Sequence, residues 1–357
     1  MTIPFRETIL ALGAIVLVCA QHTHAQSPQR LVDLCGTWRF DIGDDSARSA
    51  TAYDDSEWDR IRVPAFWEDE GYPGYDGWAW YRRHFSVDEK YRHEALFLDL
   101  GNIDDIDEVY VNGHFAGFMG AAPPAYETAY AERRWYYLPG EFLRFGDDNV
   151  IAVRVYDHQL GGGIIRGEIG VYRDPSYLVP DQSLRGPWKL SAGDDVRRAA
   201  PSFRDDEWTR VLVPSYWETQ GLRGYDGFAW YRRAFMLDRP LRGTPLILLL
   251  GRIDDADEVW VNGRRIGKTG RMPEEGGQYI NDDAYRSLRA YPLPPDVLRD
   301  DAPNTIAVRV FDGFRHGGMY EGPVGLIRQE RYRAWERTHG AARRNPIDRL
   351  LNFLFGD

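Results

Sequence analysis

The chain has 357 residues, enough for two domains and a short tail. Its 55 acidic side chains outnumber 44 basic ones, leaving a net charge of -11. That balance argues against a nucleic-acid backbone as partner, which needs clustered positive charge.

Residues 1–25 read as a secretory signal peptide. Arg6 gives a charged start, Ile9–Ala20 is an apolar run too short to span a bilayer, and Thr23-His24-Ala25 offers a cleavage site. The mature chain is then secreted or periplasmic. A lipoprotein alternative would use Cys19, but Val18 stands where a small residue is needed. Without the leader only Cys35 remains, so no intrachain disulfide can form. No later stretch is long and apolar enough for a transmembrane segment.

From residue 30 the sequence says nearly the same thing twice. Val63–Phe85 and Val213–Phe235 match at an offset of 150, through VPAFWEDEGYPGYDGWAWYRRHF and VPSYWETQGLRGYDGFAWYRRAF. Trp38 pairs with Trp188 and Trp58 with Trp208. By Ile151-Ala-Val-Arg-Val and Ile306-Ala-Val-Arg-Val the offset is 155, so a five-residue insertion lies in a loop between. Repeats of 20–50 residues stack into solenoids. One of this size means two whole domains, each burying its own core.

Both copies are β-rich. Ala95–Leu100 and Leu246–Leu250 are short apolar runs bounded by Gly, Pro and charge, as in buried strands. Asn112-Gly113 and Asn262-Gly263 stand between alternating segments, and Asn-Gly supplies the positive φ angles of a type I′ hairpin turn. Val150–Tyr156 and Thr305–Phe311 alternate apolar with polar, the pattern of strands with one buried face. These features predict an all-β chain of two tandem antiparallel jelly-roll β-sandwiches, at 30–175 and 181–328. Pro175 and Pro180 stiffen the link between them. Residues 329–357 form an Arg-rich, helical tail, in which Ile347, Leu350, Leu351 and Leu354 share one apolar face. That tail either docks on the second sandwich or meets a protein partner or membrane surface.

The ordered motifs resemble the N-terminal sugar-binding domain of glycoside hydrolase family 2 enzymes, the β-galactosidase and β-glucuronidase type. The series is a Gly-x-Trp start, Trp58, Val63-Pro64, then Trp80-Tyr81-Arg82-Arg83-x-Phe85. The Val-Asn-Gly hairpin, Ile-Ala-Val-Arg-Val and the Gly-rich return Gly161–Gly170 follow. It recurs through Gly317–Gly325. The resemblance covers roughly residues 30–330 and implies a galactose-binding-like fold and carbohydrate recognition. Family enzymes carry their catalytic carboxylates in a TIM barrel of about 250 residues; about 30 remain here after the second copy, so hydrolysis is not implied.

The resemblance also indicates which loops reach toward sugar. They are Tyr75-Asp76-Gly77-Trp78 with Asp157-His158, and Tyr225-Asp226-Gly227-Phe228 with Asp312. A carboxylate accepting vicinal hydroxyl protons beside an aromatic ring suits a sugar, and hydrogen bonds to charged groups are worth about 1.5–3 kcal/mol. Asp-Gly also makes turns in which Asp caps its own backbone, and both readings stand. The Gly-rich returns add Arg166 and Glu168, then His316, Tyr320 and Glu321. Arg82, Arg83, Arg232 and Arg233 read as strand-surface charges paired with nearby Asp.

Asp104, Asp105 and Asp107, with Asp254, Asp255 and Asp257, offer oxygens to calcium. A solvated strand entrance explains the same residues, and no other cofactor is indicated. The sequence therefore predicts a non-catalytic carbohydrate-binding protein. The alternatives are an accessory subunit or divergent member of a family 2 glycoside hydrolase, and a structural envelope protein that binds a protein partner.

Overall fold

A computed structural model describes residues 27–124, 126–273 and 283–343. The proposed signal peptide and the apolar face at 347–354 lie outside them.

The first sandwich is built from β1 (Gln29–Asp33), β2 (Gly36–Ile42), β3 (Asp59–Val63), β4 (Gly77–Ser86), β5 (Leu96–Asp104) and β6 (Ile106–Val111). It is completed by β7 (His114–Met119), β8 (Arg133–Leu138), β9 (Asp148–Asp157), β10 (Gly163–Arg166) and β11 (Gly170–Arg173). One sheet runs β3-β2-β4-β9-β6-β7; the other runs β1-β11-β5-β10, with β8 also paired to β5. All pairings are antiparallel.

The second sandwich repeats the plan with β12 (Gln182–Ser183), β13 (Gly186–Ala192), β14 (Thr209–Val213), β15 (Gly227–Phe235) and β16 (Leu246–Ile253). Then come β17 (Ala256–Val261), β18 (Arg264–Thr269), β19 (Ala290–Pro292), β20 (Asn304–Asp312) and β21 (Met319–Arg328). Its sheets run β14-β13-β15-β20-β17-β18 and β12-β21-β16-β19. The chain is thus all-β in two jelly-roll sandwiches, followed by helix α1 (Gln329–Arg343).

Alternation places the cores. In β9, Ile151, Val153 and Val155 point between the sheets, where Trp38, Tyr81, Leu98 and Val171 meet them. Ala152 points the other way, against Trp58 and Trp80. Ile306, Val308 and Val310 of β20 repeat the inward set. Asn112-Gly113 and Asn262-Gly263 join β6 to β7 and β17 to β18 with φ of 50°, 78°, 51° and 82°, the double positive turn that Asn-Gly favours.

Arg82 and Arg232 depart from the surface role expected of them. Arg82 is 1% exposed. It donates to Asp55 Oδ2 at 2.7 Å and to the Arg48 and Ala50 carbonyls at 2.5 and 3.1 Å. Arg232 donates likewise to Asp205 and to the Arg198 and Ala200 carbonyls. A guanidinium's five donors in a rigid fork let one side chain tie down a whole loop.

Helix α1 lies on the outer face of β16 and β21. Tyr332 and Trp335 pack on Leu178, Ile247, Leu249 and Ile327, and Trp335 Nε1 donates to the Ser176 carbonyl at 2.8 Å. Arg331 pairs with Asp181 at 2.8 Å. Among the described residues, no helix is long and apolar enough to cross a membrane.

Candidate functional site

The same inward alternation that builds the core places a carboxylate at one end of each sandwich. After Ile151, Val153 and Val155, the next inward position of β9 is Asp157. After Ile306, Val308 and Val310, that of β20 is Asp312. Both are 0% exposed. Across the interior, β5 ends at Asp104, opposite Gly163 of β10. The chain then crosses to the other sheet through Asp105 and enters β6.

One oxygen from each of Asp104, Asp105 and Asp157 lies within 4.8 Å of the others, and Asp254, Asp255 and Asp312 form the matching group. The two ends are duplicates in their acidic parts.

Hydrogen bonds distinguish the members. Asp105 accepts from the Thr128 hydroxyl at 2.5 Å and from the His158 N–H at 3.0 Å. Burial would raise its pKa, but these donors and the Tyr126 hydroxyl hold it below the usual carboxylate range. Asp255 accepts from Gly313 N–H at 2.8 Å. Asp157 takes one weak bond, from Gln159 N–H at 3.3 Å, and Asp312 one from Phe314 N–H at 3.1 Å. The second oxygen of each, Oδ2, is buried with no partner.

Burial, with Asp105, Asp104 and Asp76 nearby, pushes Asp157 up to about 7. Asp312 is likewise pushed up to about 7 by burial and by Asp254, Asp255 and Asp226. Asp104 rises to about 7 and Asp254 to about 6, mainly through burial, with the neighbouring aspartate adding to it.

Carboxylates and aromatic rings border each group. Glu68 accepts from Gly162 N–H at 3.1 Å, and Glu218 from Gly317 N–H at 3.0 Å, so the same carboxylate fixes the Gly-rich return in both copies. Burial raises Glu218 to about 7. Tyr126 lies on His158 with ring centroids 4.8 Å apart in the first copy. In the second, Tyr216 stacks on Tyr320 at 5.0 Å and 2° and meets His316 at 5.2 Å.

Several residues expected to contact sugar lie outside the two acidic groups. Trp78 faces Tyr156 in register, one position from the Gly77–Asp157 pair, so it points to the opposite side of the sheet from Asp157. The Arg154 guanidinium covers its ring at 3.6 Å. Phe228 repeats this under Arg309 at 4.3 Å. Tyr75 and Tyr225 brace loops, their hydroxyls donating to the Trp78 and Phe228 carbonyls at 2.6 and 2.7 Å. Asp76 and Asp226 are exposed and add negative field at Asp157 and Asp312. Arg166 is exposed and bonds Asn102, Glu168 pairs loosely with Arg30 at 3.8 Å, and Glu321 pairs with Arg252 at 2.5 Å. His158, His316 and Tyr320 do border the triads.

The acidic grouping also differs from the one proposed. Asp107 and Asp257 sit one layer deeper, fully buried, paired with Arg134 and Arg289 at 2.7 Å each and with the Tyr136 and Tyr291 hydroxyls. Their places are taken by Asp157 and Asp312. Glu68, Tyr126, Thr128, Tyr216 and Glu218 were not anticipated. The repeat itself held part of the signal, because Phe66-Trp67-Glu68 and Tyr216-Trp217-Glu218 keep an aromatic and a carboxylate in register.

A β-galactosidase of Bacteroides ovatus, BoGH2A, is 25% identical over 174 residues, which is 45% of this chain and 19% of that protein. A β-galactosidase of Thermoanaerobacter pseudethanolicus is 31% identical over 108 residues, 25% of this chain and 13% of that one. The chain is similar over part of its length to family 2 β-glycosidases. It spans less than a fifth of the length of these relatives, and no family model matches it. Among solved structures, a β-glucuronidase from Ruminococcus gnavus aligns at 14% identity and a TM-score of 0.35, covering 85% of this chain and 45% of that one.

Proposed function

We propose that the chain is a non-catalytic carbohydrate-binding protein that takes sugar at the acidic ends of both sandwiches. The observation that carries this reading is the unpartnered, fully buried oxygen of Asp157, repeated at Asp312. A buried acceptor without a donor is costly, and a sugar hydroxyl is a donor. Adjacent carboxylates can take vicinal hydroxyls while Tyr126 or Tyr216 offers a ring to the C–H face. A millimolar dissociation constant needs only about -4 kcal/mol, within reach of two charged hydrogen bonds and one ring. Three carboxyls at each end disfavour anionic sugars, and the names of the relatives make neutral β-galactosides the first ligands to try.

Binding is favoured over hydrolysis by how the carboxyls are grouped. Hydrolysis needs two carboxyls flanking a glycosidic bond, whereas here three cluster side by side within 4.8 Å.

The test is a glycan array in EDTA followed by calorimetry on Asp157→Ala and Asp312→Ala. Each substitution is expected to remove one of two sugar sites. No binding to any glycan would sink the reading, and release of reducing sugar would turn it toward an enzyme.

A further inference from the structure

We propose that each acidic group also holds a divalent cation of the calcium class, one between Asp104, Asp105 and Asp157 and one between Asp254, Asp255 and Asp312. The proposal concerns the ion alone and does not depend on sugar being bound.

The first support is a contrast in how this chain treats buried acids. Asp99 pairs with Arg133 at 2.5 Å, Asp107 with Arg134 at 2.7 Å, Asp257 with Arg289 at 2.7 Å and Asp181 with Arg328 at 2.7 Å. Among the described residues, none of the six triad carboxylates lies within ion-pair distance of a cationic side chain. Buried charge is normally paired or bound to metal. At these two ends no cationic side chain among the described residues supplies the positive partner.

The second support is independent of charge. Asp157 and Asp312 are 0% exposed, each places a carboxylate oxygen in its triad, and each keeps an Oδ2 with no hydrogen-bond donor. In the first copy Asp105 is held by Thr128 and His158, yet no donor reaches Asp157 Oδ2. In the second, the flanking residues have changed to Gly313 and His316, and the same oxygen is again left over.

Donor type and spacing select the ion. The groups are all carboxylates, with no Cys and no His among the three, which suits a hard cation. Calcium binds oxygens at 2.3–2.6 Å, so ligands on opposite sides of it span roughly 4.6–5.2 Å. The triad oxygens lie within 4.8 Å of one another. Three carboxylates leave several of calcium's six to eight positions for carbonyls, water or hydroxyls of a ligand.

The experiment uses the full chain freed of metal with EDTA and then dialysed. Calcium chloride is titrated calorimetrically, and terbium luminescence excited through nearby aromatic rings reports the same sites. Two equivalents are expected for the native chain, one for Asp157→Asn or Asp312→Asn, and none for the double variant. Each single variant keeps one intact copy as its own control, and circular dichroism in EDTA reports whether the altered copy is folded. Asp104→Asn, at a half-buried position, is a second route to loss of the first equivalent. No calcium heat at millimolar concentration with no terbium signal overturns the proposal, as do two equivalents persisting in a folded double variant. Glycan binding measured in EDTA stands apart: if it survives while calcium fails to bind, only the cation proposal falls.

Discussion

Asp157 and Asp312 occupy the same place in the two halves. Each takes the inward position that follows an Ile-x-Val-x-Val alternation, and each leaves Oδ2 without a partner. Their surroundings hold the proton that an unfolded aspartate would release. The folded groups titrate at about 7, against about 3.9 in an unfolded chain.

The sign of the pH effect follows from that difference. Between about pH 4 and 7 the folded chain binds more protons, so stability falls as pH rises, and the full cost is felt above 7. Asp104, Asp105 and Asp76 face Asp157 and drive it the same way. Asp157→Asn cannot ionise. In EDTA it should match the native chain near pH 4 and gain about 1–2 kcal/mol, roughly 3–6 °C in Tm, at pH 8. Thermal melts across that range check this, and a gap that does not grow with pH refutes it.

Arg134 supports the first site from below. It joins the two sheets through Asp107, and its Nη2 also donates to the Asp105 carbonyl at 2.9 Å, holding the corner that carries the triad. Removing one partner of a buried pair costs about 3–5 kcal/mol, while replacing both with apolar groups can be nearly neutral. Arg134→Met should therefore unfold the first sandwich early while the second keeps its native transition. Arg134→Met with Asp107→Leu should recover most of the loss. Chemical denaturation followed by near-UV circular dichroism distinguishes the outcomes.

What the sequence revealed and what it concealed divide along physical lines. Period-two alternation identified β9 and β20, and Asn-Gly marked both hairpins, because these signals are local. The site is assembled from residues whose facing depends on register. Trp78 lies close to Asp157 in space, but one step along a strand reverses the side chain, and Arg154 covers the ring. Asp104 and Asp107 are three residues apart, yet the crossing at Asp105 puts them in different sheets and layers. No spacing rule could show that Asp157 replaces Asp107. The aromatic wall at Tyr126 lies in the loop that differs between the copies, where the repeat offered nothing to compare.

Gly162 lets the return pass between Trp67 and Asp157. A Cβ there would stand 2.3 Å from Trp67 Cζ2 and 2.8 Å from Asp157 Cβ, far inside contact distance. Gly162→Ala must displace one of them, at a cost of about 1–3 kcal/mol. Gly317→Ala meets Trp217 at 2.2 Å in the same way. Each should abolish ligand binding by its own copy and spare the other. Calorimetric stoichiometry tests this, and an unchanged count of sites would show that the return does not shape the pocket.

Tyr216 and Trp78 separate the two possible binding faces. Tyr216 is 36% exposed, lies parallel to Tyr320 and borders the acidic group of the second copy. Losing such a ring removes about 1–2 kcal/mol of contact with a sugar face, a weakening of roughly 5–30-fold. Trp78 sits on the outer face of the first sandwich between Tyr156 and Arg154, where its loss removes packing and a cation–π contact worth about 1–2 kcal/mol of stability. Tyr216→Ala should therefore lower affinity with little change in Tm, and Trp78→Ala should lower Tm with affinity intact. If Trp78→Ala instead weakens glycan binding as strongly as Tyr216→Ala, the ligand lies on the outer sheet face and the carboxylate ends are not the site.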